Sequence, residues 1–169
     1  MSRTPRTRTV PSTSSAPPGE AATRLARPDE APAVRALVEA AYHPYIARIG
    51  KPPGPMLDDY ARRIANEQAW VLDQDGQIRA ILVLETRDGD LLLDNVAVAP
   101  EWQGKGLGRV LIAFAAKEAR RRGYTVLRLY THVLMTENIA LYRRVGFVET
   151  HRVHEKGFER VYMRLNLND

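Results

Sequence analysis

Gln103-Gly104-Lys105-Gly106-Leu107-Gly108 sets three alternating glycines between two apolar segments of different period. Before it, Leu91 to Val98 reads as a strand. After it, Leu107, Val110, Leu111, Phe114, Ala115 and Ala119 repeat as one helical stripe, with Gly123 placed to end the helix. A glycine turn between strand and helix lets the backbone pass close to a ligand. The free N–H groups and positive dipole end of the helix start suit a pyrophosphate. The plain alternative is a glycine-rich connection that holds nothing. Two other phosphate motifs are excluded. A Walker loop needs Gly-Lys-Ser or Gly-Lys-Thr, and here Gly108 is followed by Arg109 and Val110. A dinucleotide fingerprint needs Gly-x-Gly-x-x-Gly followed by a strand bearing an acid, and Val126 to Thr131 carries none.

On either side of this turn the chain reads as strands and helices in mixed order. A short strand near Thr23 to Ala26 opens the domain. Asp29 is placed to cap a first amphipathic helix through Val34, Leu37, Val38 and Ala41. The segment Gly50-Lys51-Pro52-Pro53-Gly54-Pro55 interrupts helical structure, and a second short helix is expected from Leu57 to Asn66. Asp75-Gly76 joins Trp70–Leu72 to Ile78–Leu84 as an antiparallel hairpin. After the strand Val126 to Thr131, a helix starts near Thr136 and ends at Gly146. Strands over Phe147–His154 and Arg160–Leu167 then meet across Lys156-Gly157. No repeat of fixed period is present.

Composition bounds the function. A chain of 169 residues suits one domain with a real core. It has no apolar run of the roughly 20 residues a membrane helix needs, and no membrane partner is expected. With no cysteine there is no disulfide, thiolate metal site or cysteine nucleophile, and a reducing compartment is permitted. The net charge of +5 is concentrated at the start: Met1 to Pro28 carries five arginines against Glu20, leaving 20 basic and 19 acidic residues elsewhere. The folded part is nearly neutral, so no nucleic-acid partner is expected of it, although an arginine-led tail is a rival reading. Residues 1–22, rich in Ser, Thr, Pro and Arg, are read as a disordered tail before a domain over 23–169. The tail resembles a mitochondrial transit peptide in composition, but its prolines disfavour the amphipathic helix that import needs.

The glycine segment resembles the pyrophosphate signature of the GCN5-related N-acetyltransferases (GNAT family): Gln or Arg, two residues, Gly, one residue, Gly or Ala. Gln103, Gly106 and Gly108 fill it. The resemblance extends upstream to Asn95-Val96-Ala97-Val98 with Pro100. Downstream it extends to Glu137-Asn138-Ile139-Ala140-Leu141-Tyr142-Arg143-Arg144-Val145-Gly146-Phe147. It covers Leu91 to Leu167 well and the first half by element order only. It implies an α/β fold with a mixed, mostly antiparallel central sheet flanked by helices, the acyl-CoA N-acyltransferase fold. It also implies acetyl-coenzyme A as cosubstrate, no metal, a cytoplasmic enzyme, and a small-molecule amine or peptide amine as acceptor; a homodimer is compatible with it.

Residue by residue, the resemblance implies main-chain hydrogen bonds from Val96 and Val98 to the pantetheine arm. It implies a pyrophosphate cradle from Gln103, Gly104, Lys105, Gly106, Leu107 and Gly108. Asn138 would reach the pantetheine and Tyr142 the sulfur; four apart in a helix, they project from one face. The bland readings are a polar residue early in a helix and a core aromatic. A lysine-like acceptor amine has a pKa of about 10.4, so a group must take its proton. Asp94 and His132 are the candidates, with Glu137 and Glu155 behind them. An ion pair for Asp94 and a turn role for His132 are the alternatives. The Pro-rich segment around His43 to Met56 is expected to border the acceptor site. A catalytically silent coenzyme A sensor is the rival from another functional class.

Overall fold

The computed structural model describes residues 21–168. The strands are β1 (Ala21–Leu25), β2 (Ala69–Gln74), β3 (Gln77–Arg87), β4 (Asp90–Val98), β5 (Val126–His132), β6 (Val148–Glu155) and β7 (Phe158–Asn166). The α-helices are α1 (Ala31–Ile49), α2 (Tyr60–Ala65), α3 (Leu107–Arg121) and α4 (Thr136–Val145). Among the described residues the strands form one sheet in the order β1-β2-β3-β4-β5-β7-β6. Every junction is antiparallel except β4–β5, which is parallel.

The elements sit close to their expected places, with three corrections. β1 already begins at Ala21, so Ala21 and Ala22 are strand rather than tail; residues 1–20 of the expected tail lie outside the described residues. Asp29 does not cap α1. Pro28 opens a short 3-10 turn, and the acid that reaches back is Glu30, which accepts from Arg27 N at 2.8 Å and from Arg24 Nη1 at 2.8 Å. The helix expected over Leu57–Asn66 begins only at Tyr60. Gly54–Leu57 forms a separate 3-10 turn, and Asp59 caps α2 by accepting from Arg62 N at 3.1 Å. α1 runs through Pro44 to a left-handed Gly50, because burial of Val34, Leu37, Val38, Ala41 and Tyr42 against the sheet outweighs the lost backbone hydrogen bond.

Helices cover both faces of the sheet. α1 and α2 pack with Val71, Ile81, Val83 and Ala97; α3 and α4 pack with Leu82, Leu84, Leu93 and Leu129. β3 is buried on both sides from Ala80 to Leu84, which explains its unbroken apolar run.

Two irregularities position the site. The β3–β4 register pairs Leu84 with Leu93 but Val83 with Asn95, so Asp94 is the extra residue of a β-bulge. The bulge also inverts the alternation of side chains. Leu91 and Leu93 face α3, whereas after the bulge Val96 and Val98 take that face and Ala97 turns to α1. The second irregularity is that β5 pairs with β4 only over Leu91–Leu93 and Leu127–Leu129. Beyond that point the strands part.

Candidate active site

The parting of β4 and β5 leaves main-chain groups of β4 without a strand partner. Ala99 N donates to Arg79 O on β3 at 2.8 Å, so Asn95, Ala97 and Ala99 address β3, and the alternation turns Val96 and Val98 into the gap. The Tyr42 hydroxyl oxygen lies 3.1 Å from Val96 O, and Gln103 Nε2 donates to Val98 O at 3.1 Å. Both valines thus lie where a strand-like ligand would meet them. Gln103 is held against β4 by its side chain.

The gap opens into a cleft of about 640 Å³ that takes in Val96, Val98, Gln103, Gly104 and Gly106–Gly108 from one side and Asn138 and Tyr142 from the other. Gly104 and Gly106 have φ of 76° and 82°, a region that favours glycine. A Cβ at either would meet nothing within 4 Å, so the turn presents bare backbone to the cleft. Gly106 immediately precedes α3, whose first N–H groups lack intrahelical partners. Gly108 also lines the cleft, and a Cβ there would make ordinary van der Waals contact with Leu141 Cδ2 on α4 at 3.5 Å. Lys105 turns its side chain away, with Nζ 4.8 Å from the Trp102 ring centroid. Arg109 and Arg144, not singled out by sequence, line the cleft and make it cationic.

A smaller cavity of about 40 Å³ adjoins the cleft, and Tyr42, Val96, Asn138 and Tyr142 line both. Pro53, Gly54 and Pro55, from the Pro-rich segment, form part of its wall. Asp94 and His132, candidates from different strands, are both brought to it. Asp94 accepts from the Tyr130 hydroxyl at 2.9 Å and from Arg63 Nη2 at 3.3 Å. Burial raises its pKa above the usual carboxylate value, against the pull of Arg63. It makes the expected ion pair and still faces the cavity. His132 Nδ1 accepts from Leu134 N at 3.1 Å, the turn role, which leaves Nε2 to carry the proton of the neutral ring. Burial lowers its pKa. Glu137 lies at the larger cleft in an exposed pair with Arg48 at 2.7 Å, and Glu155 binds Arg160 at 3.0 Å. Neither lines the smaller cavity.

Tyr142 is buried with its ring edge-on to Phe147 at 5.8 Å, and burial raises its pKa above that of a free phenol. The hydroxyl stays protonated across neutral pH. Among the described residues Asn138 makes one side-chain contact, a long one from Nδ2 to Met135 Sδ at 3.7 Å, and its amide lines the cleft.

Sequence reasoning missed a buried network behind the bulge. The Tyr42 hydroxyl donates to Asn95 Oδ1 at 2.6 Å, Asn95 Nδ2 donates to the Tyr60 hydroxyl at 3.1 Å, and that hydroxyl donates to Pro55 O. The network ties the proline wall to β4. Its one sequence signal is the polar pair Asp94-Asn95 inside an otherwise apolar strand. Tyr42 and Tyr60 read simply as core.

A family model described as acetyltransferase (GNAT) domain matches residues 65–149. The Escherichia coli (strain K12) [ribosomal protein bS18]-alanine N-acetyltransferase is 35% identical over 78 residues, 46% of this chain and 53% of that protein. The chain thus spans about half the length of the curated relatives it matches. Among solved structures, the E. coli ribosomal-protein-S18-alanine N-acetyltransferase superposes with a TM-score of 0.68 at 22% identity, covering 89% of this chain and 96% of that one. The paia N-acetyltransferase of Thermoplasma acidophilum in complex with coenzyme A gives 0.70 at 16% identity, covering 87% and 99%. With a glycine turn at the head of α3, a bulged β4 parting from β5 and a family match over half its length, the chain belongs to the GNAT acetyltransferase family.

Proposed function

We propose that the protein transfers the acetyl group of acetyl-coenzyme A to an amine by direct attack within a ternary complex. The observation that carries this is the meeting of two spaces at Val96, Asn138 and Tyr142: a cleft floored by bare glycine backbone and a small cavity walled in part by the Asp94 carboxylate and the His132 ring. The cosubstrate fits the first. Gly104, Gly106 and the start of α3 offer N–H groups to a pyrophosphate, Arg109 and Arg144 offer charge, and Val96 and Val98 offer strand-like pairing to an amide-bearing arm.

The residues then divide the work. Val96 and Val98 align the thioester against the cavity, and backbone N–H groups there oppose the charge that develops on its oxygen. Asp94 takes the proton of the amine, directly or through water; His132 could do so only by giving up the Nδ1 contact with Leu134 N. Tyr142 gives a proton to the departing thiolate. No covalent enzyme intermediate is required.

Acceptor identity does not follow from the relatives. The match over 65–149 leaves out Tyr42, Pro53, Gly54, Pro55, Phe158 and Arg160, which line the acceptor cavity. We place the reaction in the cytoplasm, where acetyl-coenzyme A is available; among the described residues no helix is long and apolar enough to cross a membrane. The test is coenzyme A release with amines, amino acids, antibiotics and peptides bearing free N-termini. Turnover with any of them supports the reading. Tight acetyl-coenzyme A binding with turnover on none would make the protein a sensor instead.

A further inference from the structure

Arg160 is a cation in the wall of the acceptor cavity with only 8% of its surface exposed. It stands on β7 opposite His132 of β5. Its Cζ lies 4.4 Å from the Tyr130 ring centroid and 5.7 Å from that of Phe158. A guanidinium has five N–H donors. Among the described residues one acceptor meets it, Glu155 Oε1 at 3.0 Å from Nη1. That carboxylate is shared with the Tyr162 hydroxyl and lies outside the cavity lining. Nη2 points toward Gly54, where a Cβ would stand 3.7 Å away, so it is left facing the proline wall. Arg160 thus keeps N–H donors with no protein acceptor among the described residues at the wall of the cavity.

The cavity therefore has two poles. The Tyr130 hydroxyl binds Asp94, which marks the acidic pole beside the β4 bulge, and the same ring lies against the Arg160 guanidinium. The space is about 40 Å³, room for a small group rather than a folded partner. We infer that the acceptor is a small amine carrying a carboxylate, of the amino-acid class, with its carboxylate on Arg160 and its amine at the Val96–Tyr142 junction. This rests on the acetyl-transfer reading and adds a specificity-determining residue to it. In the step itself the amine nitrogen forms the amide C–N bond and the thioester C–S bond breaks. The amine proton passes to the base, and the thiolate leaves as the coenzyme A thiol with a proton from Tyr142. Arg160 takes no part beyond holding the carboxylate. A bidentate guanidinium–carboxylate pair orients as well as binds.

The test compares glycine, L-alanine and L-serine with their α-carboxamides. The amide's amine loses its proton more readily, so a preference for the acid runs against intrinsic reactivity. We expect kcat/KM to favour the acids by about 10–100-fold, as for a site built to bind a charged partner. Arg160→Gln should collapse that ratio, Arg160→Lys should restore part of it, and acetyl-coenzyme A affinity should stay unchanged as the control for folding. If Arg160→Gln does not fold, Gly54→Asp sets a carboxylate beside Nη2 from the loop and should erase the preference in an otherwise intact wall. The same acid–amide pairs are titrated by calorimetry into protein loaded with coenzyme A. Turnover with equal use of acids and amides would overturn the inference and leave acetyl transfer standing. Arg160-dependent binding of acids without turnover would overturn the acceptor assignment while leaving a carboxylate site. Absence of both turnover and binding of the acids would overturn the inference, and acetyl transfer would then be judged on the wider panel of amines.

Discussion

Tyr142 brings together a hydroxyl kept protonated by burial and a position on both the larger cleft and the smaller cavity. Tyr142→Phe keeps the ring against Phe147 and removes only the donor. Single-turnover rates should fall by about 10²–10⁴-fold, toward the lower end because a thiolate leaves readily, with cofactor affinity little changed. A mutant with wild-type chemistry across pH would remove the role. The base is separable by the same logic. Asp94 stands at the bulge in the wall of the smaller cavity and its pKa is raised by burial, which moves it toward a useful proton acceptor; His132 already spends Nδ1 on the turn. We expect Asp94→Asn to lower kcat by at least about 10²-fold and to abolish the acidic limb of the pH–rate profile. His132→Gln should change it much less. The reverse pattern would hand the role to His132.

At the scale of elements, the head of α3 and the bulge of β4 are the two devices that make the site. Gly106 holds φ of 82° next to open space, so Gly106→Val meets no steric clash in the cleft itself but demands a conformation a β-branched residue disfavours. The turn should shift and the N–H array with it. Calorimetry should show acetyl-coenzyme A affinity falling by at least about 10-fold in a protein that remains folded; unchanged affinity would place the pyrophosphate elsewhere. The bulge is held by Asn95, buried between Tyr42 and Tyr60. Asn95→Leu keeps the size and leaves both hydroxyls with one fewer partner, which should cost about 1–3 kcal/mol in urea unfolding. It should raise KM for the amine more than for the cofactor, because Tyr60 carries the link to Pro55. The turn was legible because alternating glycines before a helical stripe have few other uses. The bulge was not, because one inserted residue changes register without changing composition.

Over the whole molecule, two carboxylates tie layers and helix ends through charge and report on stability. Glu30 is held near a pKa of about 2 chiefly by its hydrogen bonds with Arg24, which also reaches Asp73 on β2. Glu118 on α3 is held near about 2 chiefly by Arg121, with Arg122 beside it. Both are depressed below the ordinary value of 4.5. Their contribution is therefore complete above about pH 4.5 and is lost as pH falls through the folded value near 2. Asp94 has the opposite sign, since a raised pKa favours the folded state on protonation. The unfolding free energy from urea titrations should fall between pH 4.5 and pH 2, by about 1–2 kcal/mol per carboxylate once the exposure of Arg121 is allowed for. Glu118→Gln should flatten the curve over that window, and an unchanged slope would remove the assignment. By itself the sequence determined the element order, the glycine cradle and the pairing of Asn138 with Tyr142, because helical period and glycine conformational freedom act over a few residues. Only the tertiary structure decided the face of Asp94, the meeting of Asp94 and His132, the Tyr42–Asn95–Tyr60 network and the burial of Arg160. Each depends on strand register or on contacts between segments far apart in the chain, and no local period records either.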